Sequence, residues 1–206
     1  MNYVLIAVLG YLLGCIPSGL LVGRYFCGID IRNYGSKNLG ATNMFRTLGP
    51  KPALAVLLAD MAKGIAAVLL ALLISGGEAT LLLGGIAAIA GHSYPVFLGF
   101  KGGRGVATGL GVILVLMPKV TVWVFAVWAV IVLITRYVSL ASVTAAVLVP
   151  ILAWLSDYPW QFVLFSLLGA VFVVFRHKEN MKRLRTGEET KIKPGSISQF
   201  KKAAKK

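Results

Sequence analysis

What most constrains this chain is a repeated alternation: apolar runs of bilayer-spanning length are separated by short clusters of charge, from the first residue to about residue 175. Residues 1–23 carry no charge, 52–77 carry only Asp60 and Lys63, and 79–100 are interrupted only by His92. Two later runs, 137–156 and 158–175, hold 20 and 18 residues, and two shorter ones, 105–118 and 120–135, hold 14 and 16. A helix needs about 20 residues to cross the hydrocarbon, within a range of about 17–25. The pattern predicts an all-α, polytopic integral membrane helix bundle with seven transmembrane helices. Five spans plus a re-entrant pair made from the two short runs is the alternative. Composition agrees: 58% of residues are hydrophobic and only 14% charged, with a mean hydropathy of +0.83, where soluble domains run at roughly 45–50% apolar. Soluble, disordered and collagen-like classes are thereby excluded. Cys15 and Cys27 are too few for a disulfide framework, and with two histidines they show no zinc-ligand spacing.

Basic residues set the expected sidedness. If the loop 24–51 is cytoplasmic, so are the segment after the third run, the Arg136 turn and the C-terminal tail. All but Lys63 and Lys119 of the 21 Lys and Arg residues then lie inside, a strong positive-inside asymmetry. The N-terminus is placed outside and the C-terminus in the cytoplasm, and omitting both short runs preserves this parity. The first run lacks a basic n-region and a small-x-small cleavage site, so it reads as a retained span rather than a signal peptide. No internal repeat is visible. Residues 1–190 read as a single transmembrane domain and 191–206 as a basic, disordered tail. Anionic lipid attracts such a tail at about 1 kcal/mol per basic residue. Without aromatic interleaving, nucleic acid is not an expected partner.

Three patches on the inferred cytoplasmic side are not ordinary connectors. In GSKNLGATN (35–43) and the following Arg46, the groups of Ser36, Asn38, Thr42 and Asn43 offer neutral hydrogen bonding, and Lys37 and Arg46 add positive charge. That mixture suits an anionic, hydroxylated ligand, although a loop rich in turn formers would share its composition. In GFKGGRGVATGLG (99–111), six glycines surround Lys101 and Arg104 before an apolar helix. Free backbone N–H groups, a helix N-terminus and two cations make a phosphate cradle of Gly102, Gly103 and Gly105 with Lys101 and Arg104. The competing reading is a flexible hinge, or close helix packing by the later glycines. In RHKENMKRLRTGEE (176–189), His177, Asn180 and Leu184 share one face of a continuing helix. On this segment alone, an interfacial helix with a merely solvated His177 is the preferred reading. Asp60 and Lys63, at i and i+3 within a span, read equally as a functional pair or a structural ion pair.

The chemical inventory is informative. Neither histidine begins an HxxxxD arrangement, since His92 leads to Phe97 and His177 to Lys182, and there is no GxSxG elbow. Cations, amides and glycines beside lipid can orient phosphates and stabilise negative charge, but they offer no covalent nucleophile. They fit a reaction whose electrophile arrives already activated. A transporter would place its cations near mid-membrane between repeats, and a lipid-binding scaffold would not need three polar motifs on one side.

Those three motifs, in this order, together with IPSG (16–19), DMAKG (60–64) and RYVSLAS (136–142), resemble the PlsY family of bacterial acyl-phosphate:glycerol-3-phosphate acyltransferases, from about residue 4 to residue 190. The resemblance implies transfer of a fatty acyl group from acyl phosphate to the 1-hydroxyl of glycerol 3-phosphate. The products would be lysophosphatidate and phosphate, without acyl-CoA or acyl carrier protein as direct donor and without cofactor or metal. It implies a bacterial inner-membrane enzyme with a cytoplasmic site, whose partners are its two substrates, membrane lipids and a soluble enzyme that makes acyl phosphate. By resemblance, Ser36, Arg46, His177 and Asn180 are catalytic or substrate-binding. Asn38, Thr42, Asn43, Lys101, Gly102, Gly103, Arg104, Gly105 and Ser142 bind substrate or phosphate, and Glu189 supports the fold. Two positions depart from the family pattern: Arg104 replaces the usual Lys, keeping charge but altering geometry, and Lys37 stands where a small residue, often Gly, is expected.

Overall fold

The computed structural model describes residues 2–193 and 195, and every regular element among them is helical. Ten α-helices follow in order: α1 (Asn2–Gly14), α2 (Ser18–Cys27), α3 (Ala41–Leu48), α4 (Pro50–Ile74), α5 (Glu78–Ser93), α6 (Val106–Leu116), α7 (Pro118–Thr135), α8 (Val138–Leu155), α9 (Trp160–Arg176) and α10 (Lys178–Arg185). Proline sets several starts. Pro50 and Pro118 occupy the first turn of α4 and α7, where a missing N–H costs nothing and φ is already helical. Pro17 stands between α1 and α2, breaking the first span near its middle.

Helices α4, α7 and α8, the α1–α2 run Asn2–Cys27, and α5 with the following turn to Leu98 are long and apolar enough to cross a membrane. Helices α9 and α10, bent by 58° at His177, make a sixth span if taken as one. The two short runs of the sequence part company. Pro118 and Lys119 join the second, giving the 18-residue α7, whereas α6 has 11 residues and reaches about 16 Å, roughly half the hydrocarbon thickness. The seven-helix expectation therefore depends on counting α6 and α9.

Two apolar centres hold the bundle. One joins α4 to α9 through Val68, Val112, Met117, Val120, Ala153 and Phe165. The other packs Leu20, Ile31, Leu39, Met44 and Val56 together, fixing the 28–48 segment against α2 and α4. Small residues let backbones touch: a Cβ on Gly14 of α1 would run into the Ala88 carbonyl of α5, and one on Gly111 of α6 into the Met61 carbonyl of α4. This is the packing logic of helices in lipid, where apolar burial drives little and close approach matters. Large side chains such as Leu73 and Leu133 point outward, as they do where the solvent is hydrocarbon.

Candidate active site

Hydrogen bonds bring the three motifs to one end of the bundle. Arg46 on α3 donates through Nη2 to the Thr190 carbonyl. Arg176, at the end of α9, donates to the Gly103 carbonyl at 2.6 Å and lies over the Tyr94 ring, 5.2 Å from its centroid. Ser139 of α8 donates to Glu189 Oε1 at 2.8 Å.

Glu189 is the hub. Asn180 Nδ2 also donates to its Oε1 at 2.7 Å, and Arg183 Nε to its Oε2 at 2.9 Å. Burial acts to raise this carboxyl, but the hydrogen bonds from Asn180, Ser139 and Arg183 outweigh it and hold the pKa below the ordinary value. Arg46 and Arg104 both lie in the field of Glu189 and of Arg183. Burial, with Arg183, Arg176 and Arg46 adding to it against Glu189, lowers the Arg104 guanidinium to about 10. It therefore stays protonated at neutral pH. Arg183 pairs with Glu189, Arg46 and Arg104 lie in its field, and Arg176 adds its charge beside Arg104, so cations outnumber the carboxylate at a half-buried site, which favours anions.

His177 sits at the break between α9 and α10 and is 2% exposed. The break from α9 falls here, but His177 caps α10 and its carbonyl accepts the Met181 N–H, so it keeps the expected spacing with Asn180, now on a helix bent by 58° from α9. Both groups are buried there, while Leu184 is half-buried. The solvated histidine preferred for this segment is overturned for the same reason. Burial, with the positive charge of Arg104 adding to it, pushes the imidazole down to about 4. Its Nδ1 lies 2.8 Å from the Val173 carbonyl, which can only accept, so Nδ1 carries the proton and Nε2 keeps a lone pair.

The glycine-rich loop differs from the free cradle expected. Gly102 and Gly103 donate their N–H groups to the carbonyls of Ser93 and His92, at 3.2 and 3.1 Å, because these end α5 and need partners. What the loop presents instead is exposed Lys101 and half-buried Arg104, ahead of the first turn of α6. Gly105 caps α6 at φ +81°, a conformation that glycine adopts without strain.

In the first motif, Asn43 is a clamp: its Oδ1 accepts from the Ser36 N–H at 2.9 Å, and its Nδ2 donates to the carbonyls of Tyr34 and Asn38 at 3.1 and 2.9 Å. Both its amide hydrogens are thus engaged. Asn38 Oδ1 accepts from Gly40 N–H at 2.9 Å. Ser36 is left exposed and Thr42 half-buried. Lys37 has φ +58°, a left-handed conformation costing roughly 1–2 kcal/mol for a residue with a Cβ, which accounts for the small residue expected there. Ser142, buried on α8, accepts from Trp128 Nε1 at 3.3 Å.

Sequence reasoning missed Arg176, Arg183 and Ser139; the only available signal was that each lies in or beside a quoted motif. It also placed no structure beyond residue 190. Ile192 N–H donates to the Arg136 carbonyl at 2.8 Å and Gly195 N–H to that of Phe45 at 2.9 Å. The start of the tail is therefore a strap across the site end. Residues 194 and 196–206, the rest of the tail expected to be disordered, lie outside the described residues.

Comparisons with known proteins agree with this arrangement. A family profile described as glycerol-3-phosphate acyltransferase matches residues 4–187. A protein of Gloeobacter violaceus named glycerol-3-phosphate acyltransferase is 49% identical over 186 residues, covering 88% of this chain and 91% of that protein. Two crystal structures of PlsY, an integral membrane glycerol 3-phosphate acyltransferase, share 39% identity. Its glycerol 3-phosphate form superposes with a TM-score of 0.88 over 94% of this chain and 96% of that one. Its lysophosphatidic acid form gives 0.85 over 93% and 95%. A profile match across nearly the whole bundle, with identity well above the level at which folds merely coincide, leaves one assignment: the chain belongs to the PlsY family of integral membrane glycerol-3-phosphate acyltransferases.

Proposed function

We propose that this acyltransferase moves a fatty acyl group from acyl phosphate to the 1-hydroxyl of sn-glycerol 3-phosphate, on the cytoplasmic face of a bacterial inner membrane. The hydroxyl oxygen attacks the acyl carbon, the bond from that carbon to the phosphate oxygen breaks, and lysophosphatidate and inorganic phosphate leave. The carrying observation is the excess of guanidiniums, Arg46, Arg104 and Arg183 in the field of Glu189 and Arg176 beside Arg104, with a neutral His177 among them. Two phosphates must be held close together against their own repulsion, and an excess of fixed positive charge supplies that. Arg46 and Arg104, with exposed Lys101, are the phosphate ligands of this reading; Ser36, Thr42 and Asn38 face the acceptor. Arg46 Nε and Asn180 Oδ1 support it, being buried without a partner among the described residues, an arrangement costing about 1–3 kcal/mol per group unless a ligand satisfies it.

Because an acyl phosphate is a mixed anhydride, no enzyme nucleophile is required. The acceptor's proton goes to His177 Nε2 or to the departing phosphate. The related structures with glycerol 3-phosphate and lysophosphatidic acid fit this acceptor and product. The donor is tested with protein reconstituted in sealed vesicles, labelled glycerol 3-phosphate outside, and palmitoyl phosphate or palmitoyl-CoA. Product is expected only with palmitoyl phosphate, together with stoichiometric phosphate, and only from molecules whose Lys119 end faces the vesicle interior. Turnover with palmitoyl-CoA alone would overturn the donor, and turnover from the opposite orientation would overturn the sidedness.

A further inference from the structure

Besides the two cysteines, three ionisable side chains buried within the spans among the described residues play no part in the reaction just proposed. Asp60 and Lys63 of α4 and His92 of α5 are each at most 7% exposed. Lys63 Nζ lies 2.8 Å from Asp60 Oδ1, and His92 Nδ1 lies 3.5 Å from the same oxygen. Stability alone is a weak reason to keep such a group in lipid, since a buried pair is often no better than apolar residues of the same size. An ionisable cluster at this depth calls for a task.

The contacts supply one. Lys63 Nζ donates at 3.0 Å to the Ile16 carbonyl, at the break between α1 and α2. On the other side, the His92 ring lies directly under Gly103: a Cβ there would collide with Nε2, and one on Gly102 would collide with the His92 carbonyl. That carbonyl also accepts the Gly103 N–H, and the Gly103 carbonyl accepts from Arg176. The cluster lines one small cavity together with Ser18, Leu39 of the first motif, and Gly103 of the second. The chain of contact runs from the broken first span, through the ion pair and the imidazole, to the residue immediately before Arg104.

We propose that Asp60 is a positioning residue: by orienting the His92 ring, with Lys63 neutralising its charge, it fixes the height of the Gly102–Gly103 backbone and so the placement of Arg104 in the anion site. The imidazole is a flat, rigid floor against Gly103, and the Asp60 carboxylate at its Nδ1 is the charged group that orients it. A loop made of glycines has little stiffness of its own, so its geometry has to come from what lies beneath it.

The kinetic arm rests on the acyl-transfer reading; the exchange arm does not. Asp60→Asn alone would leave a lone buried ammonium and report on folding, so the decisive variant is the double replacement Asp60→Leu with Lys63→Leu, compared with His92→Phe. In the double variant, amide exchange over residues 99–105 is expected to quicken about tenfold, with α8 unchanged. KM for glycerol 3-phosphate should rise about tenfold while the melting temperature moves by no more than a few degrees. His92→Phe should do the same, and the triple variant should be no worse than the poorer parent, because all three act through one contact. Wild-type exchange at 99–105, exchange quickened evenly across the bundle, or additive effects in the triple variant would each overturn the proposal. Absence of wild-type turnover would count against the acyl-transfer reading, and the exchange comparison would still decide this one.

Discussion

A single imidazole illustrates how burial becomes chemistry. His177 is held neutral by its surroundings at about 4, so its Nε2 is unprotonated at neutral pH. The sign of the associated stability change follows. The unfolded histidine, near 6.5, binds a proton that the folded one does not, so stability falls as the pH drops from about 6.5 towards 4, by roughly 3 kcal/mol at most. Nuclear magnetic resonance of labelled histidine should show one imidazole titrating near 4, absent in His177→Gln. Unfolding measured against pH should be flatter over that window in the same variant. If His177 is the base, its kcat should also fall by about 100-fold or more; an unchanged kcat would assign the proton to the leaving phosphate. The sequence put His177 and Asn180 together, and they do share the first turn of α10; what it did not show is the break from α9 at His177. It gave Asn43 a ligand role because an asparagine in a polar loop looks available. Nothing in residue type distinguishes an amide that meets substrate from one spent on its own backbone.

Among elements, helix contacts were harder to read than helix existence. The spans were legible because each lipid-facing helix must be apolar over a fixed length. The α1–α5 contact was not, because a glycine in an apolar run looks the same whether a neighbouring backbone touches it or not. Gly14→Val should therefore lower the melting temperature markedly or prevent recovery of folded protein, because its side chain would meet the Ala88 carbonyl. Gly169→Val, on a face of α9 where a Cβ meets nothing within 4 Å, should leave melting nearly unchanged. Equal losses in both would mean that glycine content, rather than backbone contact, is what matters. The shortness of α6 had the same origin: charge at Lys119 divided the apolar run, while helix capping at Met117 and Pro118 set the true boundary. In the glycine-rich loop, composition promised free N–H groups, but the end of α5 leaves carbonyls without partners and the adjacent amides satisfy them first.

At the scale of the molecule, the three motifs meet because helices of nearly bilayer length return the chain to one end again and again. The family resemblance and the positive-inside count both found that end in the sequence. The strap did not show itself, being basic and without periodicity; its hold is through backbone groups, which sequence does not distinguish. Removing residues 190–206 should lower activity well below removal of 196–206 alone, because only the longer deletion takes away the Thr190 carbonyl on Arg46 and the Ile192 and Gly195 tethers. Equal activities would reduce the strap to a passive contact.

The same strap ties the first motif to residues made well after it. A nascent chain emerges from its N-terminus onward. Before the last span has been made, the first two motifs can already be in the bilayer, yet Glu189 and Thr190 have not reached them. Arg46 and Arg104 then face lipid headgroups without their carboxylate. A product truncated before Glu189 would carry the first two motifs without this carboxylate or the Thr190 carbonyl, and is expected to lose activity.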